Sequence, residues 1–276
     1  MYHTLISADD LQANLDQPLV ICDCRYNLAD KTAGRHAYQD THIPGAVYLD
    51  LHDDLSGPPV TNKGRHPLLT DEAMNQLFSR IGISSDTQVI VYDDSAGAFA
   101  ARLWWMLKHM QHECVAVLDG GWQTWINAGY PVSDKIPESV NSHFKNMANN
   151  DDLVLIDEVE KYECLIDSRE VPRYLGEIEP IDPIAGHIPG AKNRFWKENL
   201  TEDGVFKSPE DLGLEWRQIL ESIHSDQTVV YCGSGVTACH NLLAASHAGL
   251  AMPKLYAGSW SEWSNTPGKS IETGGE

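Results

Sequence analysis

Four short segments occur twice in this chain, in the same order, at an offset of roughly 140 residues. "PLVICDCR" (18–25) pairs with "YECLIDSR" (162–169), both apolar runs ending in Asp-X-Arg. "THIPGAVYLD" (41–50) pairs with "GHIPGAKNRF" (186–195), "TQVIVYDD" (87–94) with "DQTVVYCG" (226–233), and "VAVLDGGWQTW" (115–125) with "PKLYAGSWSEW" (253–263). Ordered self-similarity of this kind means that one structural unit is written twice. The spacing predicts a first domain over 1–135, a polar linker over 136–150 and a second domain over 151–276. Each copy alternates short β-branched runs with helical patterns. Strands are expected at 163–167, 228–231 and 253–256, and capped helices at 208–220, with Ser208 as N-cap, and 71–82, with Thr70 or Asp71. The expected fold class is α/β, two tandem domains, each a mostly parallel sheet flanked by helices.

Composition narrows the function. Lys and Arg number 20 against 40 Asp and Glu, a net charge of −20, which disfavours nucleic acid and anionic membranes as partners. No run approaches the length of a membrane span, and the N-terminal stretch lacks the pattern of a secretory signal, so a reducing cytoplasm is the expected compartment. Six cysteines are too sparse for a disulfide scaffold, and with no Cys-X2-Cys pair a structural zinc is not expected. No metal or cofactor is implied.

The chemistry concentrates at "VVYCGSGVTACH" (229–240). Cys232 closes an apolar strand, and ligands of parallel sheets gather at the carboxyl ends of strands. The following "GSGVTA" allows tight turning before a helical pattern over 237–250, ending near Gly249. Backbone N–H groups and the helix N-terminus then converge on the sulfur, which favours a thiolate and can cradle an anion bound to it. The other copy carries Asp93 at this position, so it keeps the scaffold and lacks the nucleophile.

Together these residues resemble the tandem-domain sulfurtransferases of the rhodanese superfamily, over nearly the whole chain. "HIPGA" in both halves, "DSR" at 167–169 and the loop "CGSGVTA" at 232–238 carry the resemblance, and the loop is similar to that of the mercaptopyruvate-using branch. The resemblance implies a catalytic C-terminal domain in which Cys232 carries a persulfide. It implies that Gly233, Gly235, Val236, Thr237 and Ala238 hold the substrate, with Arg173 gripping the donor's carboxylate. It also implies that Ser234 and His66, in "KGRHPL", move a proton, His66 reaching across from the first domain. A relay acid is implied just after the first "HIPGAVYLD". His52 stands there, flanked by Asp50 and Asp53, and neither neighbour is assigned. The neutral Gly233 and Ser234 suit a monocarboxylate better than thiosulfate, a dianion. Against this, "EIEPIDPIAGH" (177–187) lacks the second arginine usual in mercaptopyruvate enzymes, which leaves thiosulfate as the alternative donor. The acceptor is expected to be cyanide or a thiol such as thioredoxin or glutathione.

Other readings are weaker. A cysteine phosphatase needs Arg where Ala238 stands. A thiol peroxidase needs a resolving cysteine, and Cys239 lies about 10 Å along the helix, too far for a disulfide. A non-catalytic binding module remains an alternative from another class. His42 and His187, with Asp23, Asp167, Arg25 and Arg169, recur in both copies and are expected to serve packing, turns and strand-end ion pairs.

Overall fold

A computed structural model describes residues 1–61, 63–138 and 140–275, which form two compact units. Of these residues, the first unit takes those within 1–57, 69–149 and 202–205, and the second those within 58–68, 150–201 and 206–275. The segment carrying His66 therefore belongs to the unit that carries Cys232.

In the first unit, β1 (Leu5–Ile6), β2 (Leu19–Asp23), β3 (Val47–Tyr48), β4 (Gln88–Tyr92) and β5 (Val115–Leu118) form one sheet in the order β1-β5-β4-β2-β3. Its registered pairs are all parallel, with Ile21 opposite Ile90 and Ile90 opposite Ala116. The helices are α1 (Ala8–Ala13), α2 (Ala33–Asp40), α3 (Asp71–Arg80), α4 (Ala100–His109) and α5 (Gly121–Asn127). Thr70 Oγ1 accepts the Ala73 N–H and caps α3, whose Met74, Leu77 and Phe78 are buried. Residues of the expected linker pack on this helix. Phe144 is buried edge-on against Phe78 with ring centroids 5.1 Å apart, and Ser142 N–H donates to Ser79 O.

The second unit repeats the plan. β6 (Cys164–Asp167), β7 (Lys192–Asn193), β8 (Thr228–Tyr231) and β9 (Lys254–Leu255) lie in the order β7-β6-β8-β9, again all parallel. Its helices are α6 (Val171–Tyr174), α7 (Pro209–Leu220), α8 (Ala238–His247) and α9 (Ser259–Trp263). Ser208 Oγ accepts the Asp211 N–H ahead of Pro209, starting α7 where a proline's missing N–H costs nothing. Helix α8 is buried from Ala238 through Ala245, its His240 and Asn241 included. Strand β8 lies between β6 and β9 and is buried along its length, so Cys232 emerges at the carboxyl end of an interior strand.

The residues shared by both copies hold the strand ends. Arg25 Nη2 and Arg169 Nη2 each donate to the aspartate two residues earlier, Asp23 and Asp167, at 2.6 Å. Arg25 lies over Trp122 and Arg169 over Trp260, at 4.4 and 4.6 Å from the ring centroids. His42 Nδ1 lies 2.6 Å from Tyr38 O, and His187 Nδ1 lies 2.7 Å from Tyr174 O. Both rings stack on those tyrosines.

Candidate active site

Cys232 is 1% exposed. Its N–H donates to Ser259 Oγ at 3.1 Å, and its carbonyl accepts the Trp260 N–H at 3.0 Å. Ser259 has φ +54°, an uncommon conformation for a residue with a side chain, and its hydroxyl donates in turn to Tyr256 O. The first copy has Gly121 in its place. Ser259 thus differs between copies as Cys232 does, and that difference was the available sequence signal for a residue tied to the nucleophile.

The loop after Cys232 turns at Gly235, φ +73°, where a β-carbon would lie 2.3 Å from Ala257 O, so only glycine fits. Val236, Thr237 and Ala238 carry the chain into α8. Cys239 Sγ donates to Gly235 O at 3.4 Å and the residue is fully buried, a packing position. Burial pushes the thiols of Cys22, Cys24 and Cys164 up, which keeps them protonated.

The first copy shows how a loop at this position can be filled. Asp93 is fully buried, and its carboxylate accepts four backbone N–H groups at 2.8 Å: Ser95 and Gly97 on Oδ1, Phe99 and Ala100 on Oδ2. Burial pushes its carboxyl up, and the four amide bonds pull it back only in part. A loop of this shape is an anion cradle, here filled by the chain's own side chain. At the same offset the second copy has the amides of Ser234, Val236 and Ala238, while the Cys239 N–H donates to Val236 O at 3.1 Å, and a sulfur replaces the carboxylate. Removing the carboxylate leaves buried donors unsatisfied, at about 1–3 kcal/mol each. Asp93→Leu is therefore expected to cost at least about 3 kcal/mol in urea unfolding of the full chain, and Asp93→Asn, which keeps one acceptor oxygen, roughly half as much.

His66 and Ser234, the pair expected to move a proton, meet at this loop. His66 Nδ1 lies 2.8 Å from Ser234 Oγ, with both residues buried. Segment 58–68 is held for this contact by its backbone. Arg65 N–H donates to Ser261 Oγ at 3.1 Å, and Gly64, φ +82°, passes so close to Gly258 that a β-carbon would lie 2.8 Å from its carbonyl oxygen. Asp50 does not stand open as a relay acid. Its Oδ1 accepts the N–H groups of His52 and Asp53, and its Oδ2 accepts the Tyr48 hydroxyl, so it closes its own turn. Asp53 is exposed.

Arg173, on α6, faces the loop: a β-carbon on Gly233 would lie 3.6 and 3.7 Å from its two terminal nitrogens. Its Nη2 donates to Glu179 Oε1 at 2.7 Å and Oε2 at 3.0 Å, and to Asp182 at 3.4 Å. Burial raises Glu179, but hydrogen bonds from Arg173 and nearby amides outweigh it and leave this carboxyl below its ordinary value. Sequence reasoning missed Glu179, Asp182 and Arg65, and all three gather here. Among the described residues no helix is long and apolar enough to cross a membrane.

A strand-end cysteine in an amide loop, on a parallel sheet present twice, defines a class, and comparison agrees. The chain belongs to the rhodanese family: the rhodanese-like domain matches residues 7–128 and again 140–266. It is 42% identical to a probable 3-mercaptopyruvate sulfurtransferase of Pseudomonas aeruginosa, over 98% of each chain. It is 34% identical to the thiosulfate sulfurtransferase of Rattus norvegicus, over 95% of this chain and 92% of that one. The solved 3-mercaptopyruvate sulfurtransferase from Leishmania major superposes with a TM-score of 0.86 at 30% identity, covering 95% of this chain and 74% of that one. These relatives are named as sulfurtransferases, and they divide over the donor.

Proposed function

We propose that the protein is a sulfurtransferase that takes sulfur from 3-mercaptopyruvate onto Cys232 and passes it to a thiol or to cyanide. The observation that carries the donor choice is the His66–Ser234 contact, 2.8 Å, two residues from the nucleophile. The two donors differ in what they need from a proton relay. When a thiolate attacks the outer sulfur of thiosulfate, the S–S bond breaks and sulfite leaves with the electron pair, needing no proton. When it attacks mercaptopyruvate, the C–S bond breaks and the pair goes to an enolate. The proton that began on the donor's sulfur must end on the enolate carbon, giving pyruvate and Cys232–S–S⁻. A buried hydroxyl–imidazole pair serves the second reaction and is idle in the first.

In the second half-reaction an acceptor thiolate, such as that of thioredoxin or glutathione, attacks the outer sulfur. The S–S bond breaks, Cys232 leaves as the thiolate, and the acceptor departs as a persulfide. In this scheme the amides of Ser234, Val236 and Ala238 hold the charged sulfur through both halves, as the matching amides of Ser95, Gly97 and Phe99 hold Asp93 in the other copy.

Pyruvate release from 3-mercaptopyruvate is expected to exceed thiocyanate formation from thiosulfate and cyanide by at least about tenfold in kcat/KM. A tenfold advantage for thiosulfate overturns the donor assignment and leaves the sulfur chemistry standing.

A further inference from the structure

Segment 170–186, between Arg169 and His187, is built inside out. Two of its acids are turned inward. The Asp182 carboxylate accepts from Arg65 and Arg173, and the Glu179 carboxylate accepts from Arg173 and from the N–H groups of Ile181 and Asp182. These two side chains are 2% and 3% exposed. The aliphatic side chains lie outside. Val171, Ile178, Ile181 and Ile184 are 46%, 50%, 49% and 44% exposed, and Pro180 and Pro183 among them are exposed as well. A segment whose only neighbour is water does the reverse. The first copy does so: over 26–40 it exposes Asp30, Lys31, Arg35, His36 and Asp40, with Leu28 its one large exposed aliphatic. The apolar face therefore accompanies the nucleophile and is missing from the copy that lacks it. It also adjoins the sulfur's loop. Ile184 O accepts the Trp260 indole N–H at 2.9 Å, and the Trp260 backbone N–H donates to Cys232 O.

We propose that Val171, Ile178, Ile181 and Ile184 form the docking face for a protein that delivers the acceptor thiol, its cysteine set in an apolar surface without strong negative charge. This rests on the sulfurtransferase reading above and concerns the second half-reaction. A small charged donor gains nothing from isoleucines, and neither does cyanide. A protein thiol must reach a sulfur carried by a residue that is 1% exposed, so the surface around that thiol has to close over the neighbouring face. Contacts of this kind have an apolar centre and a polar edge. Glu170 and Glu177, both exposed, flank the aliphatic residues in the chain and supply that edge. With a net charge of −20, the chain repels an acidic partner. The face is also held ready. Two prolines restrict the backbone, and Glu179 fixes the turn at Ile181 and Asp182, so docking orders little. Four half-exposed side chains make a small contact, suited to an acceptor that must leave after each turnover.

The test loads Cys232 with sulfur and follows its discharge by reduced thioredoxin as the protein-thiol probe, and by glutathione and cyanide as small acceptors. It uses wild type, the combined variant Ile178→Ser/Ile181→Ser/Ile184→Ser, the matching triple Ile→Leu variant and the single variant Ile181→Glu. The triple serine variant and Ile181→Glu are expected to raise KM for thioredoxin at least about tenfold and to leave discharge by cyanide and glutathione within about threefold of wild type, while the leucine variant keeps the wild-type KM. An unchanged KM for thioredoxin, an equal loss with cyanide, or wild type that discharges to glutathione as efficiently as to thioredoxin overturns the proposal. So does a wild-type dimer in sedimentation that the serine variant dissolves, since the face then belongs to a second copy of this chain. Wild type that takes up no sulfur from either donor defeats the functional reading instead. Docking is then decided by disulfide exchange: the Cys232 thiolate attacks a single-cysteine thioredoxin activated with thiopyridine, a protein disulfide forms and thiopyridine leaves. The serine variant should slow this exchange at least about tenfold and leave exchange with free dithiodipyridine unchanged; equal rates with the activated protein overturn the docking face.

Discussion

Cys232→Ser is expected to lower kcat/KM with either donor by on the order of 10³-fold or more, because an alkoxide-poor hydroxyl cannot form the S–S bond that stores the transferred sulfur. The substitution should leave the fold intact. The backbone bonds from residue 232 to Ser259 and Trp260 do not involve the side chain, and the volume change is small. Its urea midpoint should therefore match wild type. Mass spectrometry of donor-treated wild type should show a gain of about 32 Da on the peptide holding Cys232, and none there in the variant. Cys22, Cys24 and Cys164 cannot deputise, since burial holds them as thiols. A sharper variant is Cys232→Asp, which copies the arrangement of Asp93. It should be inactive yet as stable as wild type or more so, because a carboxylate at this strand end would accept the loop amides as Asp93 accepts four. Sulfur mapping to Cys114, or full activity in Cys232→Ser, removes the nucleophile from the scheme.

Legibility followed the range of the interactions. Caps and strands are local, so Thr70, Ser208 and the runs at 164–167 and 228–231 could be read from a few neighbours each. The two copies served as internal controls. Residues present in both, such as His42 and His187, belong to the scaffold, and the structure finds both rings bonded to a helix carbonyl and stacked on tyrosine. Where the copies diverge, at Cys232 against Asp93 and Ser259 against Gly121, the change lies at the loop itself. Ser259 escaped notice because "GSW" beside "GGW" looks like a neutral swap until its hydroxyl is found on the Cys232 amide. The anion cradle could be inferred from glycine and helix, but its strength became visible only when four amides were seen on one carboxylate. Arg65 and Asp182 are 117 residues apart, and neither sits in a motif that predicts the other. No local pattern encodes such a pairing; it exists only because segment 58–68 packs into the second unit. The search for a relay acid near residue 52 failed for a related reason. A carboxylate's position in sequence does not reveal that its lone pairs already close a turn, as those of Asp50 do.

Replacing the imidazole of His66 separates the two donors. His66→Gln keeps a polar side chain beside Ser234 but cannot take up and release a proton near neutrality. If the pair delivers a proton to the enolate, kcat with mercaptopyruvate should fall by about 10²–10⁴-fold, the usual worth of a positioned acid–base group. With thiosulfate, whose leaving group needs no proton, kcat should stay within about threefold of wild type. Ser234→Ala should show the same split. In the folded protein His66 Nδ1 is within 2.8 Å of that hydroxyl, so breaking the chain at either member interrupts the same transfer. The contrast between donors guards against a trivial explanation. His66 sits on the segment that also carries Arg65, and a variant that merely loosened this segment would weaken anion binding for both donors and act through KM. Equal losses with both donors, or a loss confined to KM, would therefore assign His66 to holding the segment and leave the enolate to be protonated by water. A loss in kcat for mercaptopyruvate alone ties the imidazole to the one step in which the reactions of the two donors chemically differ.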